Sequence, residues 1–251
     1  MASILNLKGK IAAVTGASRG IGAAIAEALA AQGCQLALTA QQDGGTDDLA
    51  QRLRDHYGVT CISHSGDVRD PASVQSFYQE IHATFGRLDI LAANAGILGD
   101  GLLGMVPLEQ IERTLDVNVI GTLHHLQAAA RLMRRQKAGS IILMSSIIGR
   151  MGGAGQVVYA ASKAALMGAM LAAAKELGPD GIRVNALAPG MIETDMIKHL
   201  SADLRQQRLK AIALGRYGQA QDVADVALFL ASDLSRYVTG QTIGVDGGMV
   251  I

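Results

Sequence analysis

Short, continuous apolar runs recur along the chain, each closed by glycine or a polar turn and most separated by a longer stretch of helical period. Ile11–Thr15, Gln35–Thr39, Thr60–Ser65, Asp89–Ala93, Ser140–Ser145, Ile182–Leu187 and Thr242–Val245 read as strands, too uniformly apolar for a sheet with one wet face. Helices are expected over Ala23–Gln32, over a segment ending near Tyr57, from Asp70-Pro71 onward, around Leu108–Gln136, and through the alanine-rich run that follows Tyr159. Their ends are marked: Gly33 stops the first, Asp70 is placed to cap and Pro71 to open the third, and Pro179 and Gly181 break the last. Strand and helix alternate throughout. That order points to an α/β protein in which right-handed crossovers cover a parallel sheet on both faces. No linker, repeat or low-complexity tract divides it, so one domain is expected over residues 1–251.

Composition fits this picture and narrows the function. The chain is 49% hydrophobic with 30 glycines, 4 prolines and 3% aromatics, which suits an Ala/Val/Ile/Leu core with many tight turns. Its 22 basic and 22 acidic residues cancel, which argues against nucleic-acid binding. The basic cluster Arg131, Arg134, Arg135 and Lys137 reads as the solvated end of a helix. Two cysteines, Cys34 and Cys61, make neither a disulfide framework nor a metal-ligand spacing and read as buried thiols; no metal site is expected. The N-terminal residues lack the pattern of a signal peptide, and the apolar run Ala164–Ala174, bracketed by Lys163 and Lys175, is short for a bilayer. A cytoplasmic protein without a membrane partner is expected.

Three local patterns carry chemistry. Gly16, Gly20 and Gly22 lie between the first strand and the first helix, where glycines let the backbone approach a pyrophosphate and a helix N-terminus offers its N–H groups. Tyr159 and Lys163 stand four apart, a turn apart on one helical face. An ammonium beside a phenol favours phenolate, so the Tyr159 pKa is expected to fall from about 10 towards working pH, as general acid–base catalysis requires. Ser146, just after the fifth strand, is placed to return over a glycine-rich loop and hold a substrate oxygen.

Thr15-Gly16-x-x-x-Gly20-x-Gly22, Asn94-Ala95-Gly96, Asn118, Ser146, Tyr159-x-x-x-Lys163 and Asn185-Ala-Leu-Ala-Pro-Gly190, in this order, resemble the short-chain dehydrogenase/reductase family over essentially the whole chain. The resemblance implies a single Rossmann-type, doubly wound parallel seven-stranded sheet, order 3-2-1-4-5-6-7, and a nicotinamide cofactor. It implies that Tyr159 is the general acid/base, that Lys163 binds the nicotinamide ribose and lowers the Tyr159 pKa, that Ser146 orients the substrate oxygen, and that Asn118 holds a water linking Lys163 to solvent. Cofactor contacts are implied for Gly16, Ser18, Arg19, Gly20, Ile21 and Gly22, for Asn94, Ala95 and Gly96, and for Asp67 and Val68 at the adenine. Tyr159 and Lys163 are joined by Pro189, Gly190, Ile192 and Thr194 at the nicotinamide end. Read alone, Asn118 is a polar kink in a helix, Asp67 a turn cap and Thr194 a helix N-cap. His124 and His125 are not implicated.

A carboxylate at the end of the second strand would repel a 2′-phosphate. Ala40, Gln41 and Gln42 stand there instead, and Arg19 resembles the basic residue of NADP-using members, so NADP(H) is expected, although Gln41 replaces a second basic residue. The overall look is nearest to 3-oxoacyl-(acyl-carrier-protein) reductases, through Gly155-Gln156, Leu214–Gly218 and Thr239–Gly248. Val158, Ala220 and the acidic Asp180 depart from them. The expected activity is reduction of a ketone to a secondary alcohol, either a 3-oxoacyl thioester on an acidic carrier or a free hydrophobic ketone. A non-catalytic NADP-binding regulator is the reading from another class. Ile97–Val106 and Met191–Leu200 are expected to wall an apolar substrate pocket with Leu98, Leu102, Leu103, Met105, Met151, Met191, Ile192, Met196 and Ile197, and with Lys198 and Arg150 as the nearest cations. The family pattern implies a homotetramer, with Leu166, Met167, Met170 and Leu171 as apolar surface and Ala165, Gly168 and Ala169 allowing close approach.

Overall fold

The computed structural model describes residues 4–41, 45–195 and 201–250. Strands β1 (Ile11–Thr15), β2 (Gln35–Ala40), β3 (Cys61–Ser65), β4 (Ile90–Ala93), β5 (Gly139–Met144), β6 (Ile182–Pro189) and β7 (Thr242–Val245) form one sheet in the order β3-β2-β1-β4-β5-β6-β7. Every pairing is parallel. Bounds differ from the sequence reading by a residue or two at most strands, with β6 running on through Pro189 to the site.

Successive residues of a strand face opposite sides, which explains the uniformly apolar β1. Ala12 and Val14 join one core with Ile25, Leu29, Leu36 and Leu230, under α1 (Gly20–Ala31), α2 (Asp47–Tyr57) and the helix Ala220–Ala231. Ile11 and Ala13 join the other with Phe77, Ile81, Leu91, Met133 and Met170. That second face is covered by α3 (Pro71–Phe85), α5 (Gly121–Gln136) and α7 (Val157–Leu177). Helix α3 begins as its sequence predicts, Asp70 accepting from the amides of Ala72 and Ser73 ahead of Pro71 at the first turn. Strand order reverses between β1 and β4, which leaves a crevice at the carboxyl ends of the strands where such sheets bind ligands.

Four sequence expectations are corrected. The single helix expected around Leu108–Gln136 is α4 (Leu108–Leu115) and α5, joined by a π-helical turn, Asp116–Ile120, in which the Gly121 amide reaches the Asp116 carbonyl. A continuous helical period conceals such a one-residue insertion, and it places Asn118 on the inside of the turn. The apolar stretch of α7 extends beyond Ala164–Ala174: Val157–Asp180 is long and apolar enough to cross a bilayer by length and hydropathy alone. It lies against β6 and α6 (Ile147–Met151) as a core helix, with charged Lys163 on its buried face. Of the residues expected as its oligomer surface, Leu166 and Met170 are buried in this chain; Leu171 is 49% exposed.

Cys34 and Cys61 are buried free thiols, and burial pushes both up to about 12, well away from the reactive thiolate. The basic cluster is not wholly solvated, since Arg134 ion-pairs with Glu176 at 2.7 Å and Asp180 at 3.1 Å.

Candidate active site

The glycine turn is built around Thr15 at the end of β1. Its hydroxyl accepts from the amides of Asn94 and Ala95, both at 3.0 Å, while Asn94 Nδ2 donates to the carbonyls of Thr15 and Gly16, both at 3.1 Å. The loops after β1 and β4 are thereby laced together at the crevice. A Cβ at Gly22 would lie 2.2 Å from the Gly16 carbonyl and 2.5 Å from Asn94 Nδ2, so only glycine lets α1 start this close. Arg19 occupies the N-cap with no side-chain cap and no acidic residue in the first turn, which leaves the N–H groups of α1 to an anionic ligand. The Arg19 side chain is 77% exposed and stands 3.6 Å from the Asp195 carboxylate. Thr194 lies beside Gly20, where an added Cβ would meet its methyl at 3.4 Å. Ser18 is exposed on the same turn.

At the far end of the crevice the Asp67 carboxylate is already engaged. Arg69 pairs with it at 2.6 Å and Gln41 donates to it at 3.0 Å. The Arg69 hydrogen bonds hold its carboxyl below the usual range. Val68 packs on Gly121 at the start of α5, and its carbonyl meets His124 Nδ1 at 3.2 Å. Arg69 and the contact of His124 are therefore part of this end; no sequence motif marks either.

The chemical end is set by the ends of β5, α6 and α7. Ser146 caps α6, its hydroxyl accepting from the Ile148 amide at 3.2 Å, and it lines the same cavity as Tyr159. A Cβ at Gly149 would lie 2.8 Å from the Lys163 backbone, so α6 seats directly on α7. Lys163 is buried; its Nζ donates to the Met144 carbonyl at 2.8 Å and lies 5.7 Å from the centre of the Tyr159 ring. Asn118 is buried behind them. Its Oδ1 accepts from the Ile97 amide at 2.8 Å, and its Nδ2 donates to the Ile97 carbonyl at 2.9 Å and to Ser162 at 3.0 Å. Ser162 in turn donates to the Tyr159 carbonyl and Ser145 to the Lys163 carbonyl, both at 2.7 Å. Sequence reading passed over these two serines because a serine within or just before an apolar helix carries no signal of its partner. At Gly96 a Cβ would approach Lys163 Nζ to 3.1 Å and Asn118 Oδ1 to 3.2 Å, so a bare backbone there is what admits both groups.

Of the residues singled out in the sequence, Ile21, Asn94, Gly96, Ser146, Tyr159, Lys163, Pro189, Gly190, Ile192 and Thr194 line one cavity of about 110 Å³. The glycine turn forms the adjoining floor, and Asp67 and Val68 mark the other end. The glycine cradle and the uncapped helix start fit a dinucleotide.

The electrostatics correct the expected lowering of Tyr159. Burial pushes its pKa up to about 12, because the phenolate is harder to desolvate than the phenol; the Ser146 hydroxyl opposes the rise and the Asp100 charge adds to it. Lys163 is itself pushed down to about 8 by burial. The Tyr159 hydroxyl is thus a held proton at neutral pH. The apolar substrate walls also differ from expectation: Leu102, Leu103 and Met105 are 64%, 79% and 75% exposed, and Met151 is 51% exposed. Met191 packs instead against Ile147, Ala188 and Ile212, and Arg150 is exposed. Met196, Ile197 and Lys198 lie outside the described residues, as does Gln42.

A family model described as "Enoyl-(Acyl carrier protein) reductase" matches residues 16–250. The 3-oxoacyl-[acyl-carrier-protein] reductase FabG of Escherichia coli is 44% identical, over 98% of this chain and 99% of its own. The corresponding protein of Aquifex aeolicus is 40% identical over the same shares. Among solved structures, a short-chain type dehydrogenase/reductase from Mycobacterium marinum is similar with a TM-score of 0.93 at 36% identity, covering 98% of this chain and 97% of that one. Levodione reductase is similar with a TM-score of 0.92 at 29% identity, covering 96% and 97%.

Proposed function

The chain belongs to the short-chain dehydrogenase/reductase family, and from that premise we propose that it is an NADP(H)-dependent oxidoreductase that reduces the ketone of a 3-oxoacyl thioester to a secondary alcohol. The observation that carries the reading is the convergence of Ser146, Tyr159 and Lys163 on one cavity that opens beside the glycine turn. Similarity to carrier-protein reductases over nearly the full length supports the substrate class.

When bound, the nicotinamide supplies the hydride. The protein's part is to hold the ketone and deliver a proton. Ser146 Oγ, fixed at the start of α6, donates to the ketone oxygen. The Tyr159 hydroxyl, kept protonated by burial, gives its proton to that oxygen as negative charge develops on it. The ammonium of Lys163, below the ring, stabilises the tyrosinate left behind. Asn118 holds Ile97 and Ser162, and through them the loop after β4 and the first turn of α7; we assign it the positioning of this group and of a water that links Lys163 to solvent.

Preference for NADP(H) rests on Arg19, exposed over the glycine turn, and on the absence of a carboxylate at Ala40 and Gln41. Asp67 does not restore that repulsion, since Arg69 neutralises it. The same reading carries a homotetramer, a cytoplasmic location and no nucleic-acid or membrane partner.

One observation favours a second reading, a free hydrophobic ketone as substrate. Arg134 is tied to Glu176 and Asp180, so this cation is engaged within the chain, and of the basic residues at the end of α5 it is Arg131, Arg135 and Lys137 that are left to meet an acidic carrier. A non-catalytic NADP-binding regulator is disfavoured by the retention of Asn118, Ser146, Tyr159 and Lys163 together. The test follows NADPH oxidation with acetoacetyl-carrier protein, acetoacetyl-CoA and a panel of free ketones. A free ketone that beats both thioesters by more than about tenfold in kcat/KM, about 1.4 kcal/mol of transition-state preference, would establish the second reading.

A further inference from the structure

The loop after β4 is fastened to the segment that leads into α7 and Tyr159. Gly101 N–H donates to the Gly155 carbonyl at 2.7 Å, and Gln156 Nε2 donates to the Asp100 carboxylate at 3.1 Å. Gln110 Nε2 holds the Asp100 carbonyl at 2.7 Å from α4. Gln156 is the N-cap residue of α7, so this fastening acts three residues from the tyrosine hydroxyl's own backbone. Beyond it Leu102, Leu103 and Met105 stand in solvent. The Asp100 carboxylate has the Gln156 amide as its side-chain partner among the described residues, with no cation to neutralise it.

We infer that Asp100 and Gln156 form a clasp across the mouth of the cleft, in which the amide joins the two walls and the carboxylate selects for ketones with no negative charge near the reacting carbonyl. Asp100 is a specificity-determining residue and Gln156 a positioning residue; both assignments rest on the ketone-reductase reading above. A thioester places a neutral group next to the 3-oxo carbon, whereas a free 3-oxo acid would bring its own carboxylate toward Asp100.

The surroundings of Tyr159 make this charge count. Lys163 faces it from α7, Ser146 from the end of β5 and Asp100 from the loop after β4. Lining the cavity from the end of β6 and the segment after it are uncharged Pro189, Gly190, Ile192 and Thr194, while Glu193 is held by Gln219; Arg150 of α6 is exposed. Asp100 is thus the one carboxylate among these groups that bears on the tyrosine, and it opposes tyrosinate formation.

Two variants separate charge from fastening. Asp100→Asn removes the charge and keeps an acceptor for Gln156; Gln156→Ala keeps the charge and opens the clasp. The probes are acetoacetyl-N-acetylcysteamine, a neutral thioester, and acetoacetate. Asp100→Asn is expected to narrow the kcat/KM preference for the thioester by about fivefold, the scale of a partly screened charge pair. It is also expected to move the rise of alcohol oxidation with pH to lower pH. Gln156→Ala should raise KM for both probes, leave their ratio unchanged, and speed hydrogen exchange at the Gly101 amide. An Asp100→Asn enzyme with wild-type preference and pH profile overturns the selecting role, and unchanged Gly101 exchange in Gln156→Ala overturns the clasp. If the wild type reduces neither probe, the ketone-reductase reading and the selecting role fall with it, while the exchange measurement, which needs no substrate, still decides the clasp.

Discussion

Lys163 Nζ sits 5.7 Å from the centre of the Tyr159 ring while donating to the Met144 carbonyl at 2.8 Å. The ammonium is therefore anchored to the last residue of β5, immediately before Ser145 and Ser146, and holds its place beneath the tyrosine with no carboxylate partner among the described residues. With the phenol protonated at neutral pH, the group is poised as an acid.

Tyr159→Phe keeps the ring and removes the proton. Carbonyl reduction is expected to fall by about 10²–10⁴-fold or more, the usual contribution of a general acid, while NADPH still binds. Turnover and a fluorescence titration of bound NADPH measure the two effects, and a variant with half the wild-type rate would end the assignment.

Burial lowers Lys163 from 10.5 to about 8, so folding carries the cost of a buried ammonium below that pH. Between pH 8 and 10.5 the folded lysine is neutral while the unfolded one still binds a proton. The unfolded state then holds more protons, and stability from this group rises with pH. Relative to the wild type, Lys163→Met should lose about 3 kcal/mol of stability as pH rises across that window, each pKa unit being worth about 1.4 kcal/mol. Urea unfolding of both proteins at pH 7.5 and pH 10.5 reads the difference; a pH-independent gap means that the ammonium is not desolvated.

Arg19 is exposed above an uncapped helix start, free to meet a 2′-phosphate once its contact with Asp195 at 3.6 Å is exchanged. Arg19→Ala is expected to lower kcat/KM with NADPH by about tenfold, the scale of one charge-assisted contact, and to leave NADH nearly unaffected. An unchanged NADPH-to-NADH ratio would refute the cofactor assignment.

The outer face of α7 presents Ala161, Ala164, Ala165, Gly168 and Ala172 around half-exposed Leu171, and a Cβ at Gly168 would touch nothing. Small residues let a second helix approach closely, so this face is the expected subunit contact. Light scattering of the wild type should give a multiple of 26.1 kDa, and Ala165→Arg a smaller species. A wild-type mass equal to one chain across micromolar concentrations would rule the contact out.

What the sequence determined by itself was the set of elements and the order of the motifs. Alternation of apolar strands with helical stretches is a local signal, and a parallel sheet buried on both faces follows from it; Asp70-Pro71 announced a helix start that the structure has. Glycines at 16, 20 and 22 marked the turn because backbone freedom is a property of the residue itself. Tertiary structure decided what depends on partners distant in the chain. The π-helical turn at Asn118 is invisible in an unbroken helical period, yet it brings that side chain to Ile97 and Ser162, 21 and 44 residues away. Arg134 looked like a solvated cation until Asp180, 46 residues on, came beside it. Helical spacing set Lys163 next to Tyr159 and suggested a lowered tyrosine pKa, but spacing carries no information on solvent. Folding buried both groups, and desolvation, which grows with the protein packed around a charge, outweighed their proximity.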